Sequence, residues 1–177
     1  KEKISKKYIN IVPGSDGAIK YIFESFFGNK KKVITSIHPT YGMIDVYSRI
    51  YNYKIVKVKE NTSGQKINNF FSKKSLFIYI ANPNQPTGTL LTLVEIEMLA
   101  KRADETDTLL VIDEAYIEFA LETSAIGLTR RFQNLCVLRT FSKAYGLAGL
   151  RIGFLATSPK IKKHLSKIKS LHDINSV

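Results

Sequence analysis

The stretch NLCVLRTFSKAYGLAGLRIGFLAT, residues 134–157, holds two apolar runs separated by a glycine-spaced segment that carries one lysine, Lys143. NLCVLRT (134–140) and RIGFLAT (151–157) are rich in β-branched and aromatic residues and nearly continuous in apolar character. Runs of that kind suit strands covered on both faces. Four more precede them: KVITSI (32–37), YKIVKVK (53–59), SLFIYIA (75–81) and TLLVID (108–113).

Helical patterns lie between these runs. Residues 17–27 place Ile19, Ile22, Phe23, Phe26 and Phe27 on one side, and Gly28-Asn29 stops the pattern. Residues 43–50 form a second helical pattern. Residues 92–106 form a third, with Thr92 as N-cap, Glu95 completing a capping box, and Met98 and Leu99 as the apolar face. In the last, residues 161–171, Ile161, Leu165, Ile168 and Leu171 recur at helical spacing and leave the lysines outside. The polar stretch 61–69 reads as a surface loop. Strands alternating with helices predict an α/β fold with a mainly parallel sheet, whose ligand site lies beyond the carboxyl ends of the strands.

Composition narrows the class. A chain of 177 residues, 44% hydrophobic and 24% charged, is long and apolar enough to bury a core as one domain. No apolar run approaches the roughly 18 residues of a membrane span, and no long apolar segment follows the basic start KEKISKKYIN, so a secretory signal is not expected. A single cysteine, Cys136, excludes an intrachain disulfide, which fits a cytoplasmic setting. The net charge of +12 raises nucleic-acid binding, but the lysines are spread along the chain and suit solvated faces or an anionic small molecule better. The three histidines are scattered and form no metal-ligating pattern, so no metal is expected.

Several strand ends carry residues suited to a site. Asp113 ends an apolar strand, a costly place for a carboxylate without a partner. It reads either as an N-cap or structural ion pair, or as a buried anion facing a protonated ring nitrogen or a metal. NPNQPTGTL after SLFIYIA is a rigid turn whose amides, Gln85 among them, are able to bond a ligand oxygen. Tyr41, in HPTYGM, is either a packing residue or an aromatic face for a flat ligand. Gly14-Ser15-Asp16-Gly17 directly before a helix makes a phosphate cradle, or simply a helix start. Lys143, at a strand end near the cation Arg151, is expected to be partly desolvated, conditions that favour a neutral amine able to attack an aldehyde.

SKAYGLAGLRIGF, VIDEAYIEF, NPNQPTGT, HPTYGM and GSDGAI together resemble, in the same order, the motifs of class I and II, fold-type I aminotransferases dependent on pyridoxal phosphate. The similarity runs from about Val12 to Pro159 and is strongest to histidinol-phosphate aminotransferases. The resemblance implies a three-layer α/β/α sandwich and a homodimer. It implies pyridoxal phosphate as cofactor, with an amino donor and an oxo acid as small-molecule partners. It assigns Lys143 the covalent bond to the cofactor and the proton shuttle, Asp113 the ring nitrogen, and Tyr116 and Gln85 the ring oxygen. Tyr41 takes the ring face, and Ser15, Asp16, Gly17, Thr140, Ser142 and Arg151 the phosphate. Gln85 departs from the family's usual asparagine by one methylene. Nothing in the sequence matches the family's N-terminal arm or C-terminal small domain, so residues 1–177 read as the large, cofactor-binding domain, a fragment expected to be inactive alone. The expected reaction is transamination of an amino-phosphate such as histidinol phosphate with 2-oxoglutarate. The alternatives are decarboxylation of a phosphorylated amino acid such as threonine phosphate on the same scaffold, and a non-enzymatic basic nucleic-acid-binding domain.

Overall fold

The computed structural model describes residues 4–26, 28–30, 32–60, 67–71, 73–121 and 123–168. Seven strands form one sheet: β1 (Ile9–Val12), β2 (Val33–His38), β3 (Lys54–Lys59), β4 (Phe77–Ala81), β5 (Leu109–Asp113), β6 (Leu135–Thr140) and β7 (Gly153–Thr157). Their spatial order is β1-β7-β6-β5-β4-β2-β3. The run from β3 to β6 is parallel, and β7 is antiparallel to both β6 and β1. The sheet is therefore mainly parallel, as the alternation of runs predicts.

Side chains alternate along each strand and sort into two cores. Phe77, Tyr79 and Ala81 of β4 and Leu109 and Val111 of β5 face a core shared with α1 (Gly14–Ser25), α2 (Met43–Ile50) and α4 (Pro159–Leu165). Ile78, Ile80, Leu110 and Ile112 face the opposite core, built on α3 (Leu93–Glu105) and the short 3₁₀ segments Ile67–Phe71 and Ala125–Arg130. Two covered faces make the three layers and explain why the central strands read as unbroken apolar runs. Phe23 of α1 anchors the first core, with ring centroids 5.1 Å from Phe77, 5.7 Å from Tyr47 and 5.7 Å from Tyr53.

Several expectations shift. Helix α1 begins at Gly14, not residue 17, because the Gly-Ser-Asp-Gly turn is itself the first turn of the helix; Phe27 lies outside the described residues. The capping box at Thr92 forms, with Glu95 N–H donating to Thr92 Oγ1 (3.3 Å) and Thr92 N–H to Glu95 Oε2 (2.8 Å). Met98, however, is 54% exposed; Ile96, Leu99, Ala100 and Ala103 make the buried face. Ser158 as N-cap and Pro159 at the first position start α4 two residues early. Leu171 lies outside the described residues, as do 61–66 of the predicted loop, whose end, Ile67–Phe71, is 3₁₀. Strand β1 and the 3₁₀ segments Lys6–Tyr8, Ile117–Phe119, Ala125–Arg130 and Ala148–Leu150 were not expected. Among the described residues no helix is long and apolar enough to cross a membrane.

Candidate active site at the carboxyl edge of the sheet

One edge of the sheet collects the candidate residues. The loops after β2, β4 and β5 carry Tyr41, Gln85 and Tyr116, and β5 and β6 end in Asp113 and Thr140. Because β7 runs antiparallel to β6, with Thr140 opposite Gly153, the connecting segment with Ser142, Lys143 and Arg151 returns to the same edge. Strand β1 ends there too and hands the chain to α1. Two close approaches fix this junction. A Cβ on Gly153 would sit 2.6 Å from the Arg139 carbonyl oxygen and 2.9 Å from Gly14 Cα, and Gly14 adopts φ +74° with Arg151 Nη2 3.3 Å from where its Cβ would be. Only glycine fits either place. Arg151 is itself left-handed (φ 51°, ψ 45°), an unusual conformation for a bulky residue.

These elements enclose a cavity of about 190 Å³ lined by Ser15, Asp16, Tyr41, Gln85, Asp113, Tyr116, Thr140, Ser142, Lys143 and Arg151, together with Gly14, Tyr79 and Ala148. Ten of the eleven sequence-predicted residues thus share one hollow. Gly17 is the exception: its Cα hydrogen points at the Pro13 ring, where a Cβ would come within 2.6 Å, and not into the cavity.

Asp113 sits at the floor, 5% exposed. Its Oδ2 accepts from Tyr79 Oη at 2.8 Å and its Oδ1 from the Ala115 N–H at 3.1 Å. Burial pushes its carboxyl up to about 6; the Tyr79 and Ala115 hydrogen bonds and the Lys143 charge pull down, while Asp16 pushes further up. The contact to Ala115 is a turn-type bond and not the N-cap of the structural reading, since the 3₁₀ segment that follows has Tyr116 at its N-cap, and the carboxylate lines the cavity.

Lys143, expected to be partly desolvated, is exposed. The loop carries it at the rim, with Nζ 5.2 Å from the centroid of the Tyr116 ring, a cation–π contact. Tyr116 Oη donates to Gln85 Oε1 at 3.3 Å, so the longer glutamine reaches the phenol. Asn84 does not compete for that place. It is buried, donating to Pro39 O (2.8 Å) and Glu60 Oε1 (2.9 Å) and accepting from Thr40 Oγ1 (2.9 Å).

Asp16 lines the cavity, yet its carboxylate is already engaged: Tyr41 Oη donates to Oδ1 at 3.4 Å and Tyr47 Oη to Oδ2 at 3.2 Å. Two phenols thus occupy both oxygens of this carboxylate. Burial and this carboxylate push the Tyr41 hydroxyl up to about 12, so it stays protonated and donating. Thr140 Oγ1 and Ser142 Oγ are 3.0 Å apart. On the opposite sheet face, Glu114 is fully buried and accepts from Ser124 Oγ (2.6 Å), the Ala125 N–H (2.6 Å) and Arg139 Nη1 (3.2 Å), while Arg139 also pairs with Glu118. Sequence reasoning missed Tyr79 and this triad. The available signal was the pair of adjacent carboxylates, Asp113 and Glu114, at the end of the apolar strand TLLVID, of which only the first was considered.

The model of the family described as aminotransferase class I and II matches residues 2–172. The chain belongs to that family. Histidinol-phosphate aminotransferase from Bacteroides thetaiotaomicron is 35% identical over 180 residues, covering 99% of this chain and 51% of that protein. The crystal structure of histidinol-phosphate aminotransferase from Sinorhizobium meliloti in complex with pyridoxal-5'-phosphate superposes with a TM-score of 0.84 at 28% identity, covering 94% of this chain and 46% of that one. L-threonine-O-3-phosphate decarboxylase from Porphyromonas gingivalis superposes at 0.83 with 24% identity over 98% of this chain and 51% of that one, a likeness of fold alone. The chain spans about half the length of the curated relatives it matches.

Proposed function

We propose that residues 1–177 form the cofactor-binding large domain of a pyridoxal-phosphate-dependent aminotransferase. The observation that carries this reading is that Lys143 and Arg151, from the β6–β7 connection, line one hollow at the carboxyl edge of the sheet with Asp113 from the end of β5. When bound, pyridoxal phosphate supplies an aldehyde carbon that bonds to amines and a protonated ring that draws electrons from the substrate α-carbon.

The donor set suits that group. Arg151, the hydroxyls of Ser15, Thr140 and Ser142, and the first N–H groups of α1 offer cationic and neutral donors to a phosphate. Asp113, with one oxygen on Tyr79 and the other on a backbone N–H, retains lone pairs for a cationic ring nitrogen. Tyr116 and Gln85 converge where a ring oxygen accepts. Tyr41, held by Asp16, offers an aromatic face. Lys143 carries the amine that binds covalently and that moves a proton at the substrate α-carbon. Its exposed position leaves that amine open to substrate.

The whole protein, in this reading, is a cytoplasmic homodimer that transfers an amino group from an amino-phosphate of the histidinol-phosphate kind to 2-oxoglutarate. The identity to histidinol-phosphate aminotransferases over nearly all of this chain supports the substrate class. Adding pyridoxal phosphate to the chain is expected to give a visible absorbance band that Lys143→Ala abolishes, with borohydride reduction fixing the added mass on residue 143. A band that survives Lys143→Ala sinks the assignment. The full-length protein assayed with histidinol phosphate, threonine phosphate and 2-oxoglutarate separates transamination from decarboxylation.

A further inference from the structure

Tyr79 carries a polar group that packing does not ask for. Strand β4 reads Phe, Ile, Tyr, Ile, Ala and is buried throughout; at residue 79 a phenylalanine would fill the same space without a hydroxyl to satisfy. Tyr79 is 1% exposed, so its hydroxyl has lost its water and needs a protein partner. The partner is Asp113 Oδ2 at 2.8 Å. Register explains the reach. Tyr79 lies opposite Val111 and Ala81 opposite Asp113, so Tyr79 is the diagonal neighbour of Asp113 on the same sheet face, within range of a long aromatic side chain.

We propose that Tyr79 is a positioning residue for Asp113: its hydroxyl fixes one carboxylate oxygen and favours the charged carboxylate, presenting an anion of set orientation to the cofactor's ring nitrogen. This rests on the cofactor reading above. The surroundings make such help necessary. From α1, Asp16 opposes the charge on Asp113; from the β6–β7 connection, Lys143 favours it; Tyr41 and Tyr116 face the same hollow, and Arg151 stands at its α1 end against Gly14. Burial is the largest influence and acts against ionisation, and the Tyr79 hydrogen bond is the strongest pull the other way. The same burial, with Asp113 beside it, pushes the Tyr79 hydroxyl well up, so the phenol remains the donor and the carboxylate the acceptor.

The test is Tyr79→Phe, which keeps the ring and removes the donor. Carboxyl ¹³C NMR of the chain without cofactor, with the Asp113 resonance assigned through Asp113→Asn, reads the ionisation directly. The Asp113 midpoint is expected to rise by about one pH unit, tenfold in the proton-binding constant. An unchanged or lowered midpoint overturns the proposal. In a second arm, pyridoxal phosphate affinity is followed against pH by visible absorbance. The acid-side loss of affinity is expected to begin about one unit higher in the variant; a uniform weakening with no shift assigns Tyr79 to packing only and overturns it. If Tyr79→Phe fails to fold, 3-fluorotyrosine at residue 79, a stronger donor of nearly the same size, must lower the midpoint, and no change rejects the idea. A wild-type chain that binds no pyridoxal phosphate at any pH defeats the cofactor reading, while the NMR arm still judges the contact between Tyr79 and Asp113.

Discussion

Tyr116 Oη donates to Gln85 Oε1 at 3.3 Å, so the side chain that stands in the family's usual asparagine position bonds the phenol directly. Tyr116 is half-buried and Gln85 exposed, and neither anchors the core. Under the proposed function their contact serves the ligand more than the fold. Tyr116→Phe is expected to lower pyridoxal phosphate affinity about fivefold, the worth of roughly one hydrogen bond, with the unfolding temperature nearly unchanged. Equilibrium binding and thermal unfolding of the same variant check this. A stability loss without an affinity loss makes the pair structural.

Asp113 carries a burial cost that, under the proposed function, a positive ring nitrogen would relieve. Its carboxyl is raised from 3.8 to about 6 in the folded chain, which therefore holds a proton more tightly than the unfolded chain does. The sign follows: without cofactor, this group makes the fold less stable as pH rises from about 4 to about 6, and the full cost stands at neutral pH. A shift of two units is worth about 3 kcal/mol at most. Asp113→Asn is expected to stabilise the cofactor-free chain by about 1–3 kcal/mol at pH 7, little at pH 4, while weakening pyridoxal phosphate binding at neutral pH. Denaturant unfolding at the two pH values, with and without pyridoxal phosphate, measures all three effects.

Asn84 ties together the loops that present Tyr41 and Gln85. Its amide reaches Pro39 O, Thr40 Oγ1 and Glu60, and Thr87 Oγ1 also donates to Glu60 Oε1 at 2.7 Å. Burial pushes the Glu60 carboxyl up, but hydrogen bonds from Thr87, Asn84 and Thr89 outweigh it and hold it below the ordinary value. A lowered carboxylate contributes stability above its unfolded pKa and loses it as pH falls through the folded one. Asn84→Ala, which strands these partners, is expected to cost about 2–3 kcal/mol. Glu60→Gln is expected to flatten the loss of stability on the acid side. Thermal unfolding from pH 7 down to pH 3 distinguishes a flattened profile from an unchanged one.

Legibility in the sequence tracked how local each cause is. The central strands were plain because both faces are covered and their apolar runs unbroken, as in Phe77–Ala81. Strand β1 was not: INIV has four residues, Ile11 is 41% exposed, and the strand pairs only with β7, whose partner residues lie far along the chain, Ile9 opposite Ala156 and Val12 opposite Gly153. Met98 misled because the buried stripe of α3 runs through Ala100 and Ala103, small residues that carry little apolar signal. The candidate residues that share the hollow were legible because they sit at or just past strand ends. The engagement of Asn84, which leaves Gln85 to meet Tyr116, depends on partners just after β3 and in the loop after β2, which no local pattern contains. Tyr79 was hidden among aromatic strand formers, and Arg139 among the residues of an otherwise apolar run.

Arg139 provides the sharpest test of such non-local causes. Its side chain is 15% exposed and bridges Glu114, 0% exposed, and Glu118, 18% exposed, on the segment that carries Tyr116 between them. Burial pushes the Glu114 carboxyl up even with donors from Ser124, the Ala125 N–H and Arg139 pulling down. Removing the guanidinium leaves Glu114 charged and buried, so Arg139→Ala is expected to cost about 3–5 kcal/mol at neutral pH. The loss should shrink on the acid side, where Glu114 escapes the penalty by taking a proton. Arg139→Met combined with Glu114→Gln, which removes both charges and keeps bulk, is expected to recover part of the loss at neutral pH. Denaturant unfolding at pH 5 and pH 7.5 decides the matter. An equal deficit at both values, unrelieved in the double variant, means the Arg139 side chain acts by packing and not by charge.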